Sequence, residues 1–172
     1  MRHTLIALIA FALTGCAGYK IGPIQPKMMA GIKTIAVPAF KTDLLQPRIE
    51  VMLANTVIRQ IQRDGTYKVV DEKDADATLE CKLESLDRRP QRGTVGNQFL
   101  TAEYSLNMRV SYKLTKHNGD VIDTRSVTGT TYFFATGENR VTSDVAQDEQ
   151  QAIPIAADDM ATHLVSQIAE GW

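Results

Sequence analysis

Cysteine is almost missing from this chain of 172 residues, which has two, Cys16 and Cys81, so a disulfide-rich scaffold is excluded. Aromatic residues reach only 6%, and neither sign of charge dominates, with 19 Lys and Arg against 20 Asp and Glu. No global positive field exists to recruit nucleic acid. The usual constellations of zinc, nucleophile-elbow and phosphate-loop chemistry are also lacking, since there is no Cys-x-x-Cys, His-Glu-x-x-His, Gly-x-Ser-x-Gly or Walker-type loop. What remains, 44% hydrophobic and 23% charged, is the mixture of one ordinary globular domain.

Long apolar runs are absent with one exception, Leu5 to Gly15, directly behind Met1, Arg2 and His3. A membrane-spanning helix needs about 20 apolar residues, so this shorter run reads as the core of a signal peptide over residues 1–15. It ends in Leu13-Thr14-Gly15-Cys16, which resembles the bacterial lipobox: an apolar residue, two small residues, then the cysteine whose thiol accepts diacylglycerol. Cys16 is therefore the expected lipidation site and first residue of the mature chain. Each buried acyl methylene contributes about 0.8 kcal/mol, so two or three acyl chains such as palmitate hold a protein at a membrane surface almost permanently. Ala17 stands where an Asp would mark retention at the inner membrane, which favours the periplasmic side of the outer membrane in a Gram-negative cell. Removing Arg2 with the signal leaves 18 basic side chains against 20 acidic. Acylation of Cys16 leaves Cys81 without a partner, and its place between Leu79 and Leu83 marks a small buried hydrophobe rather than a reactive thiol.

Residues 16–31, with Gly18, Gly22, Pro23, Pro26 and Gly31 and no periodicity, read as a lipidated tether, and 32–172 as a single domain. Ile32 to Val37, stopped by Pro38, predicts a first strand. Ile49, Leu53, Val57 and Ile61 recur every four residues, predicting an amphipathic helix with Pro47 in its first turn and Gly65 as its stop. Tyr67 to Val70 predicts a short strand. Ala77, Leu79, Cys81 and Leu83 alternate with polar residues, as do Ala102 through Leu114, so both strands have one wet face. Asn118-Gly119 predicts a hairpin turn into a strand from Val121 to Thr131. Ile153, Ala157, Leu164 and Ile168 mark a last helix that begins or kinks at Pro154. The expected fold is α+β: a two-layer α/β sandwich with a mixed sheet of about four strands and two helices on one face.

No active site is legible in these residues. His117 reads as a solvated turn residue and His163 as a helix-surface residue. Asp158 and Asp159 are adjacent on a helix and diverge by about 100°, which disfavours an acid/base dyad. One cluster stands out: Arg88, Arg89 and Arg92 surround Pro90 and Gly93 in the segment joining the two long strands. The plain reading is a solvated cationic loop. The functional one is contact with lipid phosphates, for which the guanidinium offers bidentate hydrogen bonds. The wet face of Ser105, Asn107, Arg109 and Ser111 is a second candidate surface, for a protein partner or for water.

Several segments together resemble the lipopolysaccharide-assembly lipoproteins (LptE-like, also called rare lipoprotein B). They are Cys16 to Tyr19, Ile32 to Phe40, Pro47-Arg48-Ile49-Glu50, Ala75-Asp76-Ala77, Tyr104-Ser105-Leu106 and the helix from Ala152-Ile153 to Ala161. The resemblance spans nearly the whole mature chain and rests on diffuse patterns. It implies a cofactor-free, non-enzymatic outer-membrane lipoprotein. Such a protein sits as a plug in the LPS-translocon β-barrel (LptD-like), helps that barrel assemble and meets lipopolysaccharide (LPS). Two other classes stay open: an envelope accessory lipoprotein scaffolding a secretion or peptidoglycan-associated complex, and a lipid-anchored enzyme.

Overall fold

The computed structural model describes residues 26–94, 97–134 and 142–171. Strand β1 (Thr34–Ala36) is followed by β2 (Lys41–Thr42), helix α1 (Ile49–Asp64) and β3 (Lys68–Val69). Three long strands come next, β4 (Ala77–Thr94), β5 (Asn97–Lys116) and β6 (Val121–Phe134), and the domain closes with helix α2 (Thr142–Glu170). The sheet runs β3-β1-β4-β5-β6, with β2 beside β4 next to β1. Pairings among β1, β2, β3 and β4 are parallel, while β4, β5 and β6 form an antiparallel meander. The expected α+β class and mixed sheet hold, but the sheet has six strands rather than four. The short strand expected at 67–70 is present as β3, whereas β2, only two residues long, is too short for an alternation to register.

Alternation decides which side of the sheet is dry. Leu79, Cys81 and Leu83 of β4 and Leu106, Met108, Val110, Tyr112 and Leu114 of β5 are all buried on the helix side. Helix α1 lays Ile49, Leu53, Val57 and Ile61 onto the same core, and Gly65, at φ 78°, closes it by donating its N–H to Ile61 O at 3.0 Å. Pro47 lies ahead of the first turn rather than inside it, and Arg48 caps the helix with φ 62°, a left-handed conformation that costs a non-glycine residue about 1 kcal/mol.

Helix α2 starts at Thr142, well before Pro154, which stands in its interior. Its sheet-facing side is built of small residues, Ala152, Ala156, Ala157 and Ala161, with Met160 and Leu164 between them. They let the helix backbone come down onto β6 at Gly129. A Cβ built there would stand 2.6 Å from both Cβ and N of Met160, and closer still to Ala156 O. The seam is then fastened by polar groups. Asp159 Oδ2 accepts the Thr130 N–H at 2.8 Å, His163 Nδ1 lies 3.0 Å from Thr128 O, and Tyr67 donates to Ile168 O at 3.0 Å. Asp159 and His163 thus occupy backbone groups on the free edge of β6, which would otherwise invite another strand.

Within the expected tether, Met29 is buried at 1% exposure and packs into the core with Ile32. The hairpin at 117–120 forms, but only Gly119 takes positive φ, at 92°. Asn118 contributes through its side chain, whose Oδ1 accepts the Asp120 N–H at 3.1 Å.

Candidate functional site

Helices cover one face of the sheet, and among the described residues no element covers the opposite, bare face. At one end β4, β5 and β6 run on as a three-stranded arm, because β2 pairs with β4 only at Lys82 and Leu83. The segment expected to be a loop is therefore strand. Pro90 fits there because the far side of β4 has no strand neighbour among the described residues at that position, so its missing N–H breaks no ladder.

A bulge between Leu83 and Ser85 shifts the phase of β4 by one residue. Before it, odd-numbered residues face the helices; after it, Leu86 and Arg88 do, while Ser85, Asp87 and Arg89 turn to the bare face. The arginine cluster is split as a result. Arg88 reaches Glu149 of α2 at 2.5 Å, with its guanidinium 5.5 Å from the centre of the Tyr104 ring. Tyr104 in turn stacks on Phe133, its cross-strand partner, at 5.5 Å. Arg92 pairs with Glu103 at 3.3 Å. Arg89 stands in a row with Ser105 and Tyr132, and no carboxylate pairs with it among the described residues.

The two surfaces singled out in the sequence thus merge. Arg89 joins Ser105, Asn107, Arg109 and Ser111 on the bare face, where Arg109 also has no carboxylate partner among the described residues. Four residues along β5 separate the Ser105 and Arg109 rows by about 13 Å. Ser105 itself is buried and accepts hydrogen bonds from Gln91 Nε2 at 2.9 Å and Asn107 Nδ2 at 3.3 Å. Other cations of this region are neutralised: Lys82 by Asp43 at 2.7 Å, Lys41 by Glu80 at 3.0 Å. At the far end of the arm Tyr132 and Phe134 are 59% and 63% exposed, far more than the aromatics beneath α2. The sequence pattern missed them because Tyr-Phe-Phe at 132–134 reads as one apolar run, whereas strand geometry turns its two outer members to water. Glu149 was missed as well, since nothing in its neighbourhood links it to residue 88.

Elsewhere the chemistry is sparse. Burial, helped by Glu80, pushes the Cys81 thiol far up, as befits an inert core residue. Asp158 lies 3.8 Å from Arg59 while Asp159 caps β6, so the pair diverges. His117 is exposed in the hairpin. A cleft of about 910 Å³ between Asp71, Lys73, Glu80, Lys113 and Lys116 is broad, open and of mixed charge. Among the described residues no group of three potential ligands gathers for a metal, and no helix is long and apolar enough to cross a membrane. Cys16 lies outside the described residues.

Known proteins resolve the fold's kinship. A lipoprotein B from Nitrosomonas europaea superposes with a TM-score of 0.58 at 13% identity, covering 90% of this chain and 92% of its own. A minor lipoprotein from Acinetobacter baumannii gives 0.51 at 17% identity over 81% and 92%. The PelC dodecamer from Paraburkholderia phytofirmans gives 0.53 at 12% over 86% and 95%. At such identities these likenesses establish the fold alone. No curated protein matches the sequence. The family model described as "LptE: Lipopolysaccharide-assembly" does match, over residues 32–168, which takes in every strand and nearly all of both helices. The chain belongs to the LptE family of lipopolysaccharide-assembly lipoproteins.

Proposed function

We propose that this protein is anchored by acylated Cys16 on the periplasmic side of the outer membrane, partners an LptD-like LPS-translocon β-barrel as plug and assembly factor, and meets LPS on its bare sheet face. The observation that carries this reading is the asymmetry of the sandwich. One face of the sheet is sealed by two helices, while no described element covers the other, which carries Arg89 and Arg109 with no carboxylate partner among the described residues. A polar face suits a water-filled barrel lumen, and unpaired guanidinium groups suit phosphates. Tyr132 and Phe134 add rigid apolar contact beside them. The ten residues from Cys16 to Gln25 span at most about 35 Å, which keeps the domain near its barrel at high effective concentration. The role asks for no cofactor and no catalysis.

Mild detergent extraction of outer membranes tests the partnership: a large barrel protein co-purifies in equal stoichiometry, and depletion of this chain lowers surface LPS. Metabolic labelling with palmitate tests the anchor, and loss of label in Cys16→Ser is the expected result. Arg89→Glu with Arg109→Glu tests the face and weakens binding to phosphorylated lipid; unchanged binding removes LPS from the account. The fold shared with a dodecameric protein favours one second reading, an accessory lipoprotein that assembles with itself as a scaffold. A homo-oligomer in place of the barrel complex would establish it.

A further inference from the structure

Helix α2 is held to the sheet unevenly on the two sides of Pro154. Behind it the helix is locked: its backbone sits on Gly129, Asp159 and His163 hold the edge of β6, Arg125 donates to Gln167 O at 3.3 Å, and Tyr67 reaches Ile168. Ahead of it Ala152 and Ile153 still pack into the core and Val145 lies against it, but the polar fastening is of another kind. Glu149 pairs with Arg88 of the arm, and the two side chains are 18% and 41% exposed, so solvent ions reach the guanidinium. Pro154 supplies no N–H to the carbonyl of Gln150, which interrupts the helix ladder between the two parts. Beside this ion pair lie Tyr104 and Phe133, stacked, with the Arg88 guanidinium over the Tyr104 ring.

A carboxylate on a guanidinium, beside an apolar aromatic strip, is the arrangement an anionic amphiphile would make with the same groups. We infer that Glu149 is an internal stand-in for such a ligand: it straps the α2 segment ahead of Pro154 over the inner face of the arm, and a phosphate-bearing amphiphile opens the strap by taking Arg88. Phosphate is the stronger competitor because it presents more acceptor oxygens and more charge to the fork of the guanidinium. Its tail then covers the Tyr104 and Phe133 surface that the segment leaves. This rests on the reading that the arm meets phosphates and adds how access to its inner face is controlled.

Hydrogen exchange of the full-length chain tests the strap, with monomeric dihexanoyl phosphatidic acid as probe. Dihexanoyl phosphatidylcholine and inorganic phosphate serve as comparison probes. Phosphatidic acid raises exchange of residues 146–151 about fivefold, the size expected from loss of one partly exposed ion pair, and leaves 155–170 unchanged. Glu149→Gln shows the raised exchange without ligand and binds phosphatidic acid about fivefold tighter, whereas Arg88→Gln shows the raised exchange and no response to the lipid. The swapped pair Arg88→Glu with Glu149→Arg returns exchange to the native level, which a folding defect would not do. If Glu149→Gln leaves exchange and affinity unchanged while Arg89→Gln weakens binding, the strap is refuted and the phosphate-binding face stands. If no arginine of the arm affects binding, the underlying reading fails too. An equal response to inorganic phosphate, or to phosphatidylcholine, overturns the assignment to an anionic amphiphile.

Discussion

Gly129→Ala is the sharpest test of how α2 is seated. The added Cβ would lie 2.6 Å from Cβ and N of Met160 and closer still to Ala156 O, whereas carbon atoms rest about 3.5 Å apart, so the helix must retreat by at least about 0.9 Å. No rotamer change relieves this, because the obstacles are the backbone of Ala156 and the first atoms of Met160. A gap of that size forfeits a quarter to a half of each dispersion contact along the seam, and overpacking of this kind costs about 3 kcal/mol. Reduced freedom of the unfolded chain returns about 0.4–1 kcal/mol, leaving a net loss of about 2 kcal/mol. For a domain of this size that lowers Tm by about 7 °C, read by circular dichroism during a thermal scan. Gly119→Ala is the comparison: nothing lies within 4 Å of its Cβ, so only the strain of φ 92° is felt, about 1 kcal/mol. A Gly129→Ala protein that melts within about 2 °C of the native one would refute the close seating of the helix on β6.

Three further outcomes follow from single contacts. Asp76 accepts the N–H groups of Lys33 and Thr34 at 2.8 and 2.9 Å, and these bonds hold its carboxyl below the usual range. Its stabilisation is therefore present above about pH 4 and lost as pH falls further, so the Tm gap between native protein and Asp76→Ala closes on acidification; a constant gap would contradict this. Burial and the nearby Asp64 push the Tyr67 hydroxyl up to about 12, which favours its neutral form in the fold. Tyr67→Phe loses about 1 kcal/mol at neutral pH, and in urea titrations that difference fades as pH rises from about 10 through 12. Cys81 resists iodoacetamide in the native state at pH 8 and reacts on unfolding; rapid native labelling, read by mass spectrometry, would place it elsewhere than in the core.

The elements legible in the sequence are those whose side chains repeat at the backbone's own period. Ile49, Leu53, Val57 and Ile61 announced α1, and the unbroken alternation from Ala102 to Leu114 announced β5 with its dry and wet faces. The misread elements lack such repetition. β2 is only two residues long, and the end of β4 contains Pro90 and Gly93, residues that mark loops except on a strand edge. The step from Leu83 to Leu86 breaks the alternation and was the one available sign of the bulge. The start of α2 was missed because Pro154 imitates a helix boundary when only local preferences are weighed.

Local chemistry thus determined, by itself, the class of fold and the dry and wet faces of the central strands. Tertiary structure decided which side chains meet. It parted Arg88 from Arg89 by the alternation of a strand, brought Glu149 to Arg88 across 61 positions of chain, and set Gly129 beneath the backbone of α2. Periodicity is a property of neighbours along the chain and survives in the sequence. Contacts between distant residues depend on where a bulge shifts the phase and where a helix crosses a strand, and these are settled only when the core packs.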